Sequence, residues 1–145
     1  MTDSAIALPD LAATEALATR IAALVRPGDA ILLDGPLGAG KTEFARFLLR
    51  FLAGDAALEV PSPSFTLVQS YDTAAGPVHH FDLWRLDGPE ALAELGWDAA
   101  RADIVVVEWP DRLGALRPDD ALELRLRPGM GEARTAFLSG WEGRL

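Results

Sequence analysis

A glycine-rich segment early in the chain carries the residues best suited to chemistry. Residues 35–42 read Gly-Pro-Leu-Gly-Ala-Gly-Lys-Thr and match the phosphate-binding loop pattern G-x-x-x-x-G-K-[ST] at every defined position. Glycines permit backbone conformations in which successive N–H groups surround a phosphate chain. In this pattern the lysine reaches the terminal phosphates and the hydroxyl binds Mg²⁺. The residues expected to contact a nucleotide are Gly38, Ala39, Gly40, Lys41 and Thr42.

The sequence around this loop has the strand–loop–helix context that the pattern requires. Residues 29–33 contain an apolar run that predicts a buried strand, and residues 42–52 have apolar side chains at helical spacing and precede Gly54. The N-terminus of such a helix directs a partial positive charge at the phosphates. Of the 13 basic residues only Lys41 is a lysine, so the compact ammonium group occurs only where the loop uses it.

Two acidic residues are candidates for the metal side of this site. Glu108 follows the apolar run Ile-Val-Val-Val, which is typical of a buried parallel strand whose last residue reaches the ligand-binding edge of an α/β sheet. It could hold Mg²⁺ directly, hold it through water, act as a base toward the attacking water, or be a solvated acid. Asp82 has large apolar neighbours on a predicted strand, so it faces either a cleft or water.

Four other polar residues also have both a functional and an ordinary structural interpretation. Thr66 ligates the metal, senses the terminal phosphate or is an ordinary strand residue. Arg85 either meets charge on the phosphate or pairs with an acid. His79 and His80 are adjacent on a predicted strand and must face opposite ways, and the chain has no third histidine. We therefore exclude a histidine metal site.

Length and composition limit the class of protein. A chain of 145 residues indicates one domain, 1–145, with room for a sheet covered by helices on both faces. No apolar run approaches the ~20 residues of a membrane span and no export signal is visible, so no membrane association is expected. The absence of cysteine favours a cytoplasmic setting. With a net charge of −9 and no basic run, this chain is not expected to bind nucleic acid alone.

The remaining segments predict a mixed sheet. A leading helix is expected to begin after Asp10, its N-cap, and to end before Pro27. Further predicted elements are strands at 65–71, 78–84, 104–108, 121–127 and 134–138 and a short helix starting at 87. The last two strands are expected to pair antiparallel at the C-terminal edge of the sheet. The predicted fold class is α/β with a mixed central sheet.

Five segments together resemble the TsaE family. They are the phosphate-binding loop at 35–42, Ser-Pro-Ser-Phe-Thr-Leu-Val at 62–68, His-Phe-Asp-Leu-Trp-Arg-Leu at 80–86, Glu-Leu-Gly-Trp at 94–97 and Val-Glu-Trp-Pro at 107–110. These segments occur in the order and spacing of that family, and the resemblance is weaker in the last 35 residues. The loop alone is generic, whereas its combination with the other segments is specific.

The resemblance implies a P-loop NTPase fold, a three-layer sandwich, that uses ATP and Mg²⁺ and hydrolyses ATP slowly. It also implies that the chain acts through the partner proteins TsaB and TsaD, which attach a threonylcarbamoyl group to the adenosine beside the anticodon of tRNAs. By motif match, the implied phosphate, metal and hydrolytic residues are Lys41, Thr42, Glu108, Asp82 and Thr66, with Trp109 beside them. The implied base contacts are Leu11, Met130 and Gly131.

The chain departs from the family pattern at Pro36, Glu43, Ser64 and Trp84, none of which removes a phosphate or metal ligand. Glu43 adds a negative charge to the first turn of the helix. A GTPase is excluded because guanine is normally selected by an Asn-Lys-x-Asp element, and the chain has no asparagine and no second lysine. A small-molecule kinase and a non-enzymatic module that organises partners when ATP is bound remain alternatives.

Overall fold

The structure, a computed structural model, describes residues 4–145. The strands are β1 (Ser4–Leu8), β2 (Ala30–Asp34), β3 (Val68–Thr73), β4 (Gly76–Asp82), β5 (Ile104–Glu108), β6 (Leu122–Pro128) and β7 (Arg134–Ser139). The α-helices are α1 (Leu11–Ala22), α2 (Lys41–Ala53) and α3 (Trp97–Ala100), and 3₁₀ segments occur at Pro89–Ala93 and Pro110–Leu116.

The strands form one mixed sheet in the order β1-β7-β6-β2-β5-β4-β3. Strand β2 runs parallel to both β5 and β6, and β4 runs parallel to β5. The predicted antiparallel pairing of β6 with β7 is confirmed, and β1 pairs antiparallel to the outer side of β7. Strand β1 was not predicted, because its five residues show little polar alternation and form a strand only through pairing with the distant β7.

Two apolar cores lie on opposite faces of the sheet, so the predicted layered arrangement is confirmed. On one face α1 and α2 cover side chains of β2, β5, β6 and β7, including Ile31, Val106 and Leu124. On the other face α3 and the 3₁₀ segments cover alternate residues of β2, β4 and β5. Because both faces are covered, every residue of Ile104–Glu108 is buried.

Helices α1 and α2 have the caps that the sequence predicts. The carboxylate of Asp10 accepts a hydrogen bond from the N–H of Ala13 at 2.9 Å, which confirms the predicted N-cap of α1. Helix α2 ends at Gly54 in the left-handed conformation, as predicted. Within residues 4–145, no helix combines the length and apolar character needed to cross a membrane.

The segment before the hairpin differs from its prediction. Residues 64–66 form a turn, Leu67 is a bend, and β3 starts only at Val68. Leu67 adopts a left-handed backbone with φ 69°, and its N–H donates to the carbonyl of Pro63 at 2.7 Å. The strand predicted at 65–71 is too long, because the turn set by the two prolines outweighs the β-forming side chains of its first residues. The hairpin of β3 with β4 is confirmed.

Candidate functional site

The carboxyl ends of the central strands meet the loop after β2 at one edge of the sheet. Glu108 pairs in the strand register with Leu33 on one side and with Asp82 on the other. A cavity of about 510 Å³ lies there. It is lined by residues 37–43, Ser62, Ser64, Phe65, Asp82, Trp84, Arg85, Glu108 and Trp109. The strand order therefore brings the loop and both predicted acids to one cavity.

Glycine geometry and an arginine from the last strand shape the loop. Gly40 has φ +96°, and a Cβ at this position would lie 2.9 Å from Nε of Arg134. Arg134 donates from Nε to the carbonyl oxygen of Ala39 at 2.8 Å, and its guanidinium lies 3.5 Å from the carboxylate of Glu43. Strand β7 therefore supports the loop, and the additional acid at position 43 is paired with a cation.

Lys41 points into this edge of the sheet and is only 5% exposed. Its ammonium group donates to the carbonyl oxygen of Gly35 and lies 3.4 Å from the ring centre of Trp109. Burial lowers the pKa of Lys41, and four nearby carboxylates, of which Glu108 is the most important, oppose that effect. The cavity thus contains a desolvated cation, which interacts more strongly with an anion than a solvated one does.

Thr42 and Glu108 lie next to each other although 66 residues separate them in the sequence. The hydroxyl of Thr42 donates to Oε1 of Glu108 at 2.9 Å. Nε2 of His80 lies 2.7 Å from Oε2 of the same carboxylate. Glu108 is 2% exposed and His80 is fully buried. Glu108 is therefore held from two sides and is not a solvated acid at a strand end.

Asp82 lies on the next strand and is also buried, at 4% exposure. Its Oδ2 accepts hydrogen bonds from the hydroxyls of Ser64 at 3.2 Å and Ser62 at 3.4 Å. Its Oδ1 accepts one from the N–H of Trp84 at 3.1 Å. The structure thus places Asp82 in the cleft and not in water, with both oxygens oriented by donors.

The oxygens of Thr42 and Glu108 fit a magnesium ion. Both are hard donors, and their contact at 2.9 Å places them side by side at the start of α2. Magnesium in nucleotide sites is commonly held by one or two protein oxygens together with substrate phosphates and water. Across residues 4–145 no group of three or more acidic or histidine side chains is arranged to hold a metal. Two adjacent protein oxygens such as those of Thr42 and Glu108 suit a metal that arrives with a nucleotide.

Four of the predicted site residues lie outside the lining of this cavity. Thr66 is exposed in the turn before β3 and accepts a hydrogen bond from Gln69 at 3.2 Å. Leu11 is half-buried at the start of α1, Met130 is 92% exposed, and Gly131 is exposed between β6 and β7. Their proposed contacts with a nucleotide remain predictions.

His80 belongs to this site although it was not among the predicted site residues. The prediction that the two histidines face opposite ways is confirmed, because His79 contacts Ser70 and Asp103 instead. The sequence did contain an indication of this role, because His80 and Asp82 are two positions apart on a strand and therefore share a face of the sheet. The role of Arg134 had no such signal, because it depends on where β7 lies relative to the loop.

The chain is similar in sequence and in fold to proteins of one family. The family model described as "Threonylcarbamoyl adenosine biosynthesis protein TsaE" matches residues 8–136. Three proteins named "tRNA threonylcarbamoyladenosine biosynthesis protein TsaE" are similar. The Rickettsia felis relative is 36% identical over 78% of this chain and 66% of its own length. The Synechocystis relative is 40% identical over 75% of this chain and 71% of its own length. The Bacillus subtilis relative is 32% identical over 86% of this chain and 78% of its own length.

The alignment spans slightly less than two thirds of the Rickettsia felis relative and of a second one from Rickettsia conorii, at 66% and 65% of their lengths. Among solved structures, Bacillus subtilis YdiB matches with a TM-score of 0.79 and 25% identity, covering 99% of this chain and 90% of YdiB. The mixed sheet with its glycine-rich loop is a P-loop NTPase fold, as the resemblance implied. Given a family match across residues 8–136, the chain belongs to the TsaE family.

Proposed function

We propose that this protein binds ATP with Mg²⁺, hydrolyses it slowly, and thereby supports formation of threonylcarbamoyladenosine in tRNA through the TsaB–TsaD pair. The observation that carries the proposal is that Lys41, Thr42 and Glu108 line one cavity. Within it the hydroxyl of Thr42 lies 2.9 Å from the carboxylate of Glu108. The tRNA product is proposed from the names of the relatives, which are tRNA threonylcarbamoyladenosine biosynthesis proteins. We place the activity in the cytoplasm, where tRNA is modified.

In this proposal the loop binds the phosphates. Its backbone N–H groups and the N-terminus of α2 provide dipoles directed at an anion, and Lys41 provides a full positive charge. Lys41 is 5% exposed, so it gives up little further hydration when a phosphate arrives. Thr42 and Glu108 would hold Mg²⁺, which when bound neutralises charge on the terminal phosphates.

Asp82 is proposed to orient the water that attacks the terminal phosphate. It lies beside Glu108 in the strand register and lines the same cavity. Donors from Ser62, Ser64 and Trp84 hold its two oxygens, so the carboxylate does not need to reorient during the reaction. Phosphoryl transfer depends chiefly on such positioning and on stabilisation of charge.

The negative charge of the chain supports the proposal that a partner protein, and not this chain, binds the tRNA. A net charge of −9 opposes binding of polyanionic tRNA, so another protein is proposed to hold the tRNA. In that arrangement ATP turnover by this chain resets the modifying complex and does not phosphorylate a metabolite.

The test is phosphate release from ATP with and without TsaB–TsaD, for the natural chain and for Glu108→Ala. We expect slow release that the partners change and that Glu108→Ala abolishes. Transfer of the terminal phosphate to a small acceptor would instead support a kinase. ATP binding with undiminished tRNA modification by a non-hydrolysing variant would support an organising module.

A further inference from the structure

His80 makes one contact that connects it to the proposed metal site. The residue is fully buried on β4, and its Nε2 lies 2.7 Å from Oε2 of Glu108. Its other ring nitrogen, Nδ1, is buried and has no hydrogen-bond partner among residues 4–145. Burying an unpaired polar atom costs free energy, and an apolar side chain would avoid that cost. The arrangement therefore needs an explanation beyond packing.

The contacts select one tautomer of the imidazole. A carboxylate accepts hydrogen bonds, so the ring nitrogen facing Glu108 is the one that carries a proton. Nδ1 is then an unprotonated acceptor. This assignment is also the less costly one for the unpaired atom, because buried N–H groups without a partner are rarer than buried acceptors without one.

The two donors to Glu108 approach different oxygens. His80 contacts Oε2, whereas the hydroxyl of Thr42 lies closest to Oε1, at 2.9 Å. A carboxylate on a flexible side chain can rotate about its terminal bond, and a donor fixed on one oxygen restricts that rotation. His80 itself is fully buried on β4, which is paired on both sides by β3 and β5, so it has little freedom to move.

We propose that His80 is a positioning residue that orients Glu108, through Nε2–H, toward the Mg²⁺ of a bound nucleotide. The inference rests on the proposed function and deepens it, because it assigns a partner to the carboxylate expected to hold the metal. Outer partners of this kind orient metal ligands and keep their donor atoms available. His80 touches neither the nucleotide nor the metal in this role.

Two amide substitutions separate positioning from packing. In His80→Gln the side-chain N–H₂ occupies a place equivalent to Nε2 and can still donate to Glu108. In His80→Asn the amide nitrogen lies near the position of Nδ1 and cannot donate a hydrogen bond to Glu108. Both variants bury one amide, so they are matched in polarity. His79→Gln is a control, since His79 contacts Ser70 and Asp103 and lies away from the cavity.

The measurement is calorimetric titration with a non-hydrolysable ATP analogue, in Mg²⁺ and in EDTA. We expect His80→Asn to weaken binding in Mg²⁺ by about tenfold or more and to leave binding in EDTA unchanged. His80→Gln and His79→Gln should stay close to the natural chain in both buffers. Unchanged Mg²⁺-dependent binding in His80→Asn, or equal losses in His80→Gln and His80→Asn, would overturn the proposal.

A measurement on the natural chain does not depend on whether the variants fold. Long-range ¹H–¹⁵N spectra report the tautomer of each histidine, and the chain has only two, which His79→Gln distinguishes. We expect Nε2 of His80 to carry the proton and its signal to shift when Mg²⁺ is added to the nucleotide-bound protein. A proton on Nδ1, or no response to Mg²⁺, would contradict the assigned role.

The outcomes also separate this inference from the proposed function. If the natural chain does not bind the analogue with Mg²⁺, both fail. If the natural chain binds it more tightly with Mg²⁺ but His80→Asn behaves in the same way, the proposed function stands and only the role of His80 is lost.

Discussion

The ammonium group of Lys41 lies 3.4 Å from the ring centre of Trp109, the residue that follows Glu108. Trp109 has a left-handed backbone with φ 59°, an uncommon conformation for a bulky residue, and its ring lies 4.6 Å from that of Trp84. The face of an indole attracts a cation, so this contact partly offsets the burial of Lys41. The end of β5 therefore provides both the predicted metal ligand and an aromatic partner for the lysine of the loop.

This contact predicts a fluorescence signal. Bound phosphates attract the ammonium group of Lys41 and change the electric field at the indole of Trp109. We expect an ATP analogue with Mg²⁺ to change tryptophan emission, and Trp109→Phe to remove more than half of that change. Trp141→Phe is the control, because Trp141 stacks on Arg144 and does not line the cavity. Equal signals from both variants would contradict the prediction.

The pKa of Lys41 predicts how stability depends on pH without nucleotide. Burial lowers this pKa from 10.5, so above the folded-state pKa the unfolded chain binds more protons and stability rises with pH toward 10.5. Lys41→Met lacks this contribution and should be the more stable protein at pH 7. We expect its advantage to shrink as pH rises, as measured by urea unfolding.

The pH range of that experiment has an upper limit. Burial raises the pKa of Tyr71 from 10.0, so Tyr71 contributes stability that is lost as pH rises above about 10. Measurements between pH 7 and about 9.5 therefore isolate the lysine. An advantage of Lys41→Met that grows with pH over this range would contradict the downward shift of the lysine's pKa.

The hydroxyl of Thr42 should be required for Mg²⁺-dependent binding. Thr42→Ala removes an oxygen that lies 2.9 Å from Glu108, and we expect it to raise the Mg²⁺ concentration needed for half-maximal analogue binding about tenfold or more. Thr42→Ser keeps the hydroxyl and should behave like the natural chain. A serine variant as weak as the alanine variant would point to the methyl group instead.

Substitution of Asp82 should separate hydrolysis from binding. Asp82→Asn replaces one carboxylate oxygen with an amide that cannot accept the bonds from Ser62 and Ser64 in the same way. We expect phosphate release to fall about 100-fold or more while analogue affinity is nearly unchanged. Asp72→Asn, in the exposed hairpin, is the control. A matching loss of affinity would place Asp82 among the binding residues.

Two loop glycines should differ in the cost of an added methyl group. At Gly35 a Cβ would lie 2.5 Å from the carbonyl oxygen of Leu126, whereas at Gly38 it would meet no atom within 4 Å. We expect Gly38→Ala to lower the free energy of unfolding by about 1 kcal/mol through backbone strain alone. Gly35→Ala should cost more than about 3 kcal/mol, because β6 must move. Chemical denaturation measures both values, and equal losses would contradict the prediction.

Some expectations were correct in the element type but wrong in its extent. The hairpin of β3 with β4 was predicted, yet the strand starts at Val68 and not at residue 65. The reason is local, since Leu67 takes a left-handed conformation and bonds back to Pro63. Thr66 consequently lies in an exposed turn and not on the strand where sequence analysis placed it.

The sequence by itself determined the loop, the helix behind it and the buried strand ending at Glu108. These features depend on glycine conformation, on side-chain periodicity and on the rule that parallel strands present ligands at their carboxyl ends, all of which are readable over a few residues. Only the tertiary structure decided that His80 contacts Glu108, that Arg134 supports the loop, that Trp109 covers Lys41 and that β1 pairs with β7. Each of these contacts depends on the order of strands in the sheet, which joins residues far apart in the chain and which no local pattern specifies.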